Sequence, residues 1–181
     1  MSKRGIKMPN INDFLKLDLP MRVRNNHALE HATLHVLQEK GIKSPLGGIS
    51  DTGGFWIYGD VATDILFEAS QEALTRLGNG ENELAVHPNC GTNIMVSGLA
   101  AGSLAWISMF GTSGKFGKKL RRLPIAVLMG LIGYQIARPY GPKLQEQITT
   151  NADVHGLEII EVIQHNVADR IVHRVATRLA R

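Results

Sequence analysis

The sequence predicts an α+β protein: a small helix–strand–helix–strand unit, then a transmembrane helical hairpin, then a C-terminal amphipathic helix. Three observations carry that reading. Between Asn25 and Gly91, stretches of helical periodicity alternate with short β-branched and aromatic runs. From Ile94 to Gly111 there are 18 residues without a charge, the length at which a membrane-spanning helix becomes the favoured reading. Near the C-terminus Val167, Ile171, Val175 and Leu179 recur every fourth residue beside Arg170, Arg174, Arg178 and Arg181, the pattern of a basic amphipathic helix. Four segments follow: an amphipathic lead over 1–24, the α+β unit over 25–91, the two-helix membrane hairpin over 92–138, and a C-terminal segment over 139–181.

Ile11, Phe14 and Leu15 suit a short surface helix, and Asp13, Lys16 and Asp18 break any continuous apolar core of a signal peptide. Asn25-Asn26 reads as the cap of a helix over roughly 27–39, ended by Lys40-Gly41. Its apolar positions Leu29, Ala32, Leu34 and Val36 make no clean stripe, so burial of the opposite face is expected too. The turn-rich run from Pro45 to Gly54 leads into Phe55-Trp56-Ile57-Tyr58, a strand and the second arm of a hairpin. A second helix runs from Asp60 or Thr63 to about Leu77, stopped by Gly78-Asn79-Gly80. Glu83 to His87 reads as a short strand. After the charge-free run comes a basic loop, then Leu123–Ala137, opened by Pro124 and about 22 Å long as a helix.

The formal net charge of the 181 residues is +4, concentrated in Lys115, Lys118, Lys119, Arg121 and Arg122 and in the C-terminal arginines. Cations beside apolar runs point to anionic membrane lipids, and no aromatic-interleaved basic surface suggests nucleic acid. Gly98 and Gly102 form a small-residue face suited to a second copy or a membrane-complex partner. The basic loop favours a cytoplasmic tip, while the basic N-terminal lead favours a cytoplasmic start. Topology stays open between the two.

Chemistry concentrates in His27-Ala28-Leu29-Glu30-His31 and, later, His87-Pro88-Asn89-Cys90-Gly91-Thr92. Histidines four apart on a helix share a face and can grip one metal ion, with Glu30 beside them to act on a bound water. His87 and the single Cys90 can complete the sphere. His35 continues the stripe by one turn, as a supporting or surface residue before a ligand. The expected site is therefore metal His27, His31, His87 and Cys90, catalytic Glu30, with Gly91 and Thr92 backbone N–H groups steadying an oxyanion. If Cys90 ligates as well, the site is closed and structural; if it does not, it is a thiol at a helix start.

By these residues, together with Gly47-Gly48, Gly53-Gly54-Phe55 and Ala85 to Asn93, the chain resembles a bacterial family, domain of unknown function 6391, over about residues 20–160. It is similar, more distantly, to the domain 1385 family of predicted metal-dependent membrane enzymes, which share a His-x-x-Glu-His segment and a later His-Pro-x-Cys-Gly-Thr segment. The resemblance implies His27, Glu30, His31, His87 and Cys90 as the site. The two apolar runs, rather than the resemblance, are what point to an integral protein with two spans, expected in the bacterial inner membrane. The function expected is a zinc-dependent membrane hydrolase, acting on peptides in its narrowest form. The rival expectation is a non-enzymatic membrane subunit or assembly factor with a structural metal site.

Overall fold

A computed structural model describes residues 11–111, 116–168 and 170–180. Two compact units emerge, one of residues 1–86 with 148–181 and one of residues 87–147. In the first unit, α1 (Ile11–Leu15) leads into α2 (Asp18–Glu39), followed by the hairpin β1 (Gly47–Asp51) and β2 (Gly54–Tyr58) and by α3 (Thr63–Gly78). A 3-10 turn over Asn82–Ala85 stands where a strand was expected. The chain returns after residue 147 to add β3 (Leu157–Val167) and β4 (Arg170–Leu179). All four strands pair antiparallel in the order β1-β2-β4-β3.

The helix α2 begins nine residues before the position expected from Asn25-Asn26. Both asparagines lie buried inside it, where tertiary partners outbid a capping role. The Asn26 side-chain amide donates to the Asp51 carbonyl at 2.7 Å and its oxygen accepts from Thr177 Oγ1 at 2.7 Å. Asn25 accepts from the Asn151 amide at 2.8 Å. Ala28, Leu29, Ala32, Val36 and Leu37 have no exposed surface, so α2 is a core helix buried on several sides. Phe55, Ile57 and Val175 meet it from the sheet, and Leu66, Ala69 and Ala73 from α3, whose predicted span holds. At Gly54 (φ +139°) a Cβ would strike the Val175 carbonyl, so glycine is what lets β2 pass β4 closely.

The expected C-terminal amphipathic helix is instead the β3–β4 hairpin. A repeat of four is also two repeats of two, so a stripe at every fourth residue marks one face of a strand as well as of a helix. Ile171, Val172, Val175 and Thr177 are β-branched and favour the strand. The arginine stripe becomes a set of cross-strand partners. Arg174 binds Asp51 of β1 through both terminal nitrogens, at 2.7 and 2.8 Å, and lies over the Trp56 ring; Arg178 meets Glu158 of β3 at 2.8 Å.

The second unit holds α4 (Gly91–Ser108), α5 (Phe116–Ala137) and α6 (Tyr140–Leu144), the last continuing into a π-turn over Gln145–Thr149. α5 begins eight residues before Pro124, so Lys118, Lys119, Arg121 and Arg122 sit on its opening turns rather than in a loop; Lys115 lies outside the described residues. Gly130 faces Ala101 and Ala105, and a Cβ on Gly133 would meet the Ala100 carbonyl at 2.6 Å, so α4 and α5 pack antiparallel through these small residues. Gly98 and Gly102 have no neighbour in this contact. Among the described residues α5 alone is long and apolar enough to cross a membrane, with mean hydropathy 1.2. α4 begins with Gly91, Thr92 and Asn93 and falls short of that measure, so two spans do not follow from length and composition.

The Asp51–Arg174 bond predicts a measurable acid sensitivity. Arg174 holds the Asp51 carboxyl below its ordinary range, helped by the Gly53 N–H. A depressed folded value means the bond stabilises fully above the unfolded carboxylate pKa near 3.9 and is lost as pH falls through the folded value. Because Asp51 is half exposed, Asp51→Asn should cost about 0.5–1 kcal/mol near neutral pH, roughly 1–4 °C in melting temperature. The wild-type advantage should shrink as pH falls below about 4 and be gone once the folded carboxyl is itself protonated. An advantage unchanged by acid would show that the ion pair does not contribute.

Candidate metal centre

In the first unit, α2 sets His27 and His31 one turn apart with ring centroids 4.3 Å from each other. Each ring is held by a main-chain carbonyl. His27 Nδ1 lies 2.9 Å from the Thr149 oxygen, and His31 Nδ1 lies 2.8 Å from the Ala85 oxygen. A carbonyl can only accept, so Nδ1 carries the hydrogen in both rings and Nε2 carries the lone pair. Both carbonyls end short helical turns, where a helix leaves its oxygens without an intrahelical donor. This is the outer-shell arrangement that fixes tautomer and direction in metal-binding histidines. His31 is buried. His35 uses the other nitrogen: Nε2 donates to the Val86 carbonyl at 2.9 Å, which makes it a strut rather than a matching third ring.

Glu30 points at β1. Its Oε2 accepts from Ser50 Oγ at 2.5 Å, and its carboxylate lies against Gly48, where a Cβ would collide with it. Only 4 % of the residue is exposed. Burial pushes its carboxyl above the usual range, while the Ser50 bond and, whenever His27 is protonated, the His27 charge pull it back. Gly48 and Ser50 share one face of β1 because strand side chains alternate. Strand alternation was the signal in the sequence that puts both residues on one side, but it does not name Glu30 as their neighbour.

In the second unit, the His87–Asn93 segment is clamped by Gln145, which sequence reasoning also missed. The His87 N–H donates to Gln145 Oε1 at 2.9 Å, and Gln145 Nε2 donates to the His87 carbonyl at 3.1 Å and to Asn93 Oδ1 at 2.6 Å. Asn93 Nδ2 in turn binds the Pro88 carbonyl at 2.8 Å, and Gly141 gives Asn93 the space it occupies. The His87 ring accepts the Asn89 N–H on Nδ1 at 3.3 Å, so the neutral ring carries its hydrogen on Nε2. Cys90 is buried at the cap position of α4, with extended backbone angles. Gly91 and Thr92 open the helix there, so their N–H groups belong to its first turn. That end of a helix stabilises a thiolate.

The family described as "Domain of unknown function (DUF6391)" matches residues 22–162. An uncharacterized protein of Picosynechococcus sp. is 34 % identical over 163 residues, covering 80 % of this chain and 72 % of that protein. No solved structure matches.

The seat of Glu30 is testable apart from any activity. Gly48→Ala should place its methyl group in the carboxylate's position and destabilise the protein by about 1–3 kcal/mol, read as a lower melting temperature in detergent. Ser50→Ala should cost about 1–3 kcal/mol, because a buried carboxylate loses a donor. Wild-type melting in Gly48→Ala would mean that Glu30 does not rest against β1.

Proposed function

The chain belongs to the DUF6391 family, and from its paired histidines we propose that it is a membrane-associated, metal-dependent hydrolase. One observation carries the reading: both rings give their Nδ1 hydrogen to main-chain carbonyls, which puts the lone pair on Nε2, the atom that can ligate. In this proposal Zn²⁺ is held by His27 Nε2, His31 Nε2 and the Cys90 thiolate. Nitrogen and sulfur donors suit zinc, and three protein ligands leave a position for water. Cys90 is preferred to His87 as the third ligand for two reasons. The Asn89 N–H on His87 Nδ1 makes His87 Nε2 a donor, whereas Cys90 is buried where a helix start favours its ionised form. Chain length gives it the reach: Val86 is tied to His35, and Cys90 follows four residues later, within about 15 Å of it.

Glu30 takes the role of general base toward the metal-bound water, whose acidity the metal raises. A buried carboxyl with a raised pKa is suited to that proton transfer. Peptides are the substrate class we assign first. The distant likeness to the domain 1385 membrane enzymes rests on the same His-x-x-Glu-His and His-Pro-x-Cys-Gly-Thr residues. For the membrane, we propose that α4 and α5 span it together as a hairpin, in the bacterial inner membrane. Ile94, Leu99 and Trp106 of α4 and Leu128, Leu131 and Ile136 of α5 are all exposed, an apolar surface that water does not favour.

The decisive measurement is metal content by mass spectrometry on detergent-purified protein, with peptide hydrolysis assayed beside it. Wild type should carry about one zinc per chain, His31→Ala and Cys90→Ser should lose it, and His87→Ala should keep it. Glu30→Gln should keep the metal and lose hydrolysis by about 10²–10⁴-fold. Full zinc in His31→Ala ends the metal reading. Zinc that depends on His31 with no hydrolysis to lose would favour the structural site of a non-enzymatic membrane subunit.

A further inference from the structure

We propose that the cleft of the second unit lined by Gly111 and by the opening turns of α5 binds the phosphate of an anionic phospholipid headgroup. The cleft encloses about 410 Å³ and is lined by Gly111, Lys118, Arg121 and Arg122, within the roughly 300–1,000 Å³ that ligand pockets occupy. Lys118, Arg121 and Arg122 stand at i, i+3 and i+4, so the opening of α5 presents them on one face. Arg122 is fixed by donating Nη1 to the Phe110 carbonyl just past α4 at 2.6 Å and to the Ser108 carbonyl at its end at 3.4 Å. Bound there, the guanidinium is ordered before any ligand arrives.

The charge has no internal answer. No aspartate or glutamate occurs anywhere from Pro88 to Gln145, so this end of the unit holds a concentration of cations that only an outside anion can balance. Phosphate is the matching chemistry, since guanidinium groups bind its oxygens in pairs and lysine adds a point charge. The surroundings select a lipid over a free phosphate. Trp106 and Phe110, with rings 4.4 Å apart, are both exposed where α4 ends, and Phe116 and Leu120 are exposed on the opening turns of α5 that carry the cations. Aromatic side chains beside cations mark the depth of headgroups in a bilayer.

This inference rests on the hairpin reading above, and the test separates the two. Full-length protein in detergent is titrated with phosphatidylglycerol or phosphatidylcholine, and bound lipid is counted by native mass spectrometry. Phosphatidylglycerol should bind at least tenfold more tightly. Lys118→Gln with Arg121→Gln should abolish the preference, at about fivefold per cation. Arg122 is left in place because it closes α4. Inorganic phosphate at the lipid's concentration should not displace it; displacement would make this a free-anion site and overturn the lipid assignment. Alkaline carbonate extraction of membranes reads the hairpin independently. Wild type that stays in the membrane yet shows no lipid preference overturns the headgroup site alone. Wild type that is extracted overturns the hairpin and the headgroup site together.

Discussion

The first unit depends on α2 holding two distant stretches of chain by their main-chain carbonyls. His31 and His35 bind the carbonyls of Ala85 and Val86, where the chain leaves the unit. His27 binds the carbonyl of Thr149, and Arg24 that of Thr150 at 2.8 Å, where the chain comes back. Asn151 then returns its N–H to the Arg24 carbonyl at 3.1 Å. Each such bond contributes about 1 kcal/mol when made and more when broken inside the protein. Together they fix both ends of a 61-residue insertion (87–147) to one helix. The same bonds set the tautomer of His27 and His31, so what closes the unit also directs two Nε2 lone pairs. Closure of the first unit and the tautomer of its two histidines are one constraint.

That constraint explains why β3 and β4 belong beside β1 and β2 although a whole unit separates them in sequence. Once the chain re-enters at Thr149, β4 can take the central place next to β2, and its two faces meet different surroundings. His173, Val175 and Thr177 turn to the helices and are buried; Arg174 and Arg178 turn the other way and find Asp51 and Glu158. A strand with both faces engaged needs cations on one side and β-branched bulk on the other. The arginine stripe answers to that position.

What was legible in the sequence was what is local. The His27–His31 spacing, the α3 period and the Phe55–Tyr58 strand each depend on residues within a turn or two, and all three are found where expected. Two readings went astray for one reason: a local signal was ambiguous and a distant partner decided it. Asn25-Asn26 resembles a cap until Asp51, Thr177 and Asn151 supply partners. The C-terminal stripe fits a helix until β2 offers an edge to pair with. The carbonyls that orient His27 and His31 were invisible in principle, since a main-chain oxygen carries no residue identity. Ser50 and Gly48 were different: their alternation on β1 was there to be read, but nothing named Glu30 as the group they face.

The seat of Glu30 links the fold to the proposed chemistry through charge. A carboxylate this enclosed is costly to ionise, and one serine hydroxyl and a nearby histidine offset only part of the cost. A divalent cation on two neutral imidazoles and one thiolate would leave one positive charge. Ionised Glu30 would then balance the site to neutrality, a state that burial tolerates. The arithmetic also accounts for the residue types. A third histidine in place of Cys90 would leave the centre with a net positive charge even beside Glu30, and an apolar residue in place of Glu30 would do the same beside Cys90. In the proposed site Cys90 and Glu30 would be a matched pair of negative charges, and the two histidines would supply direction without charge.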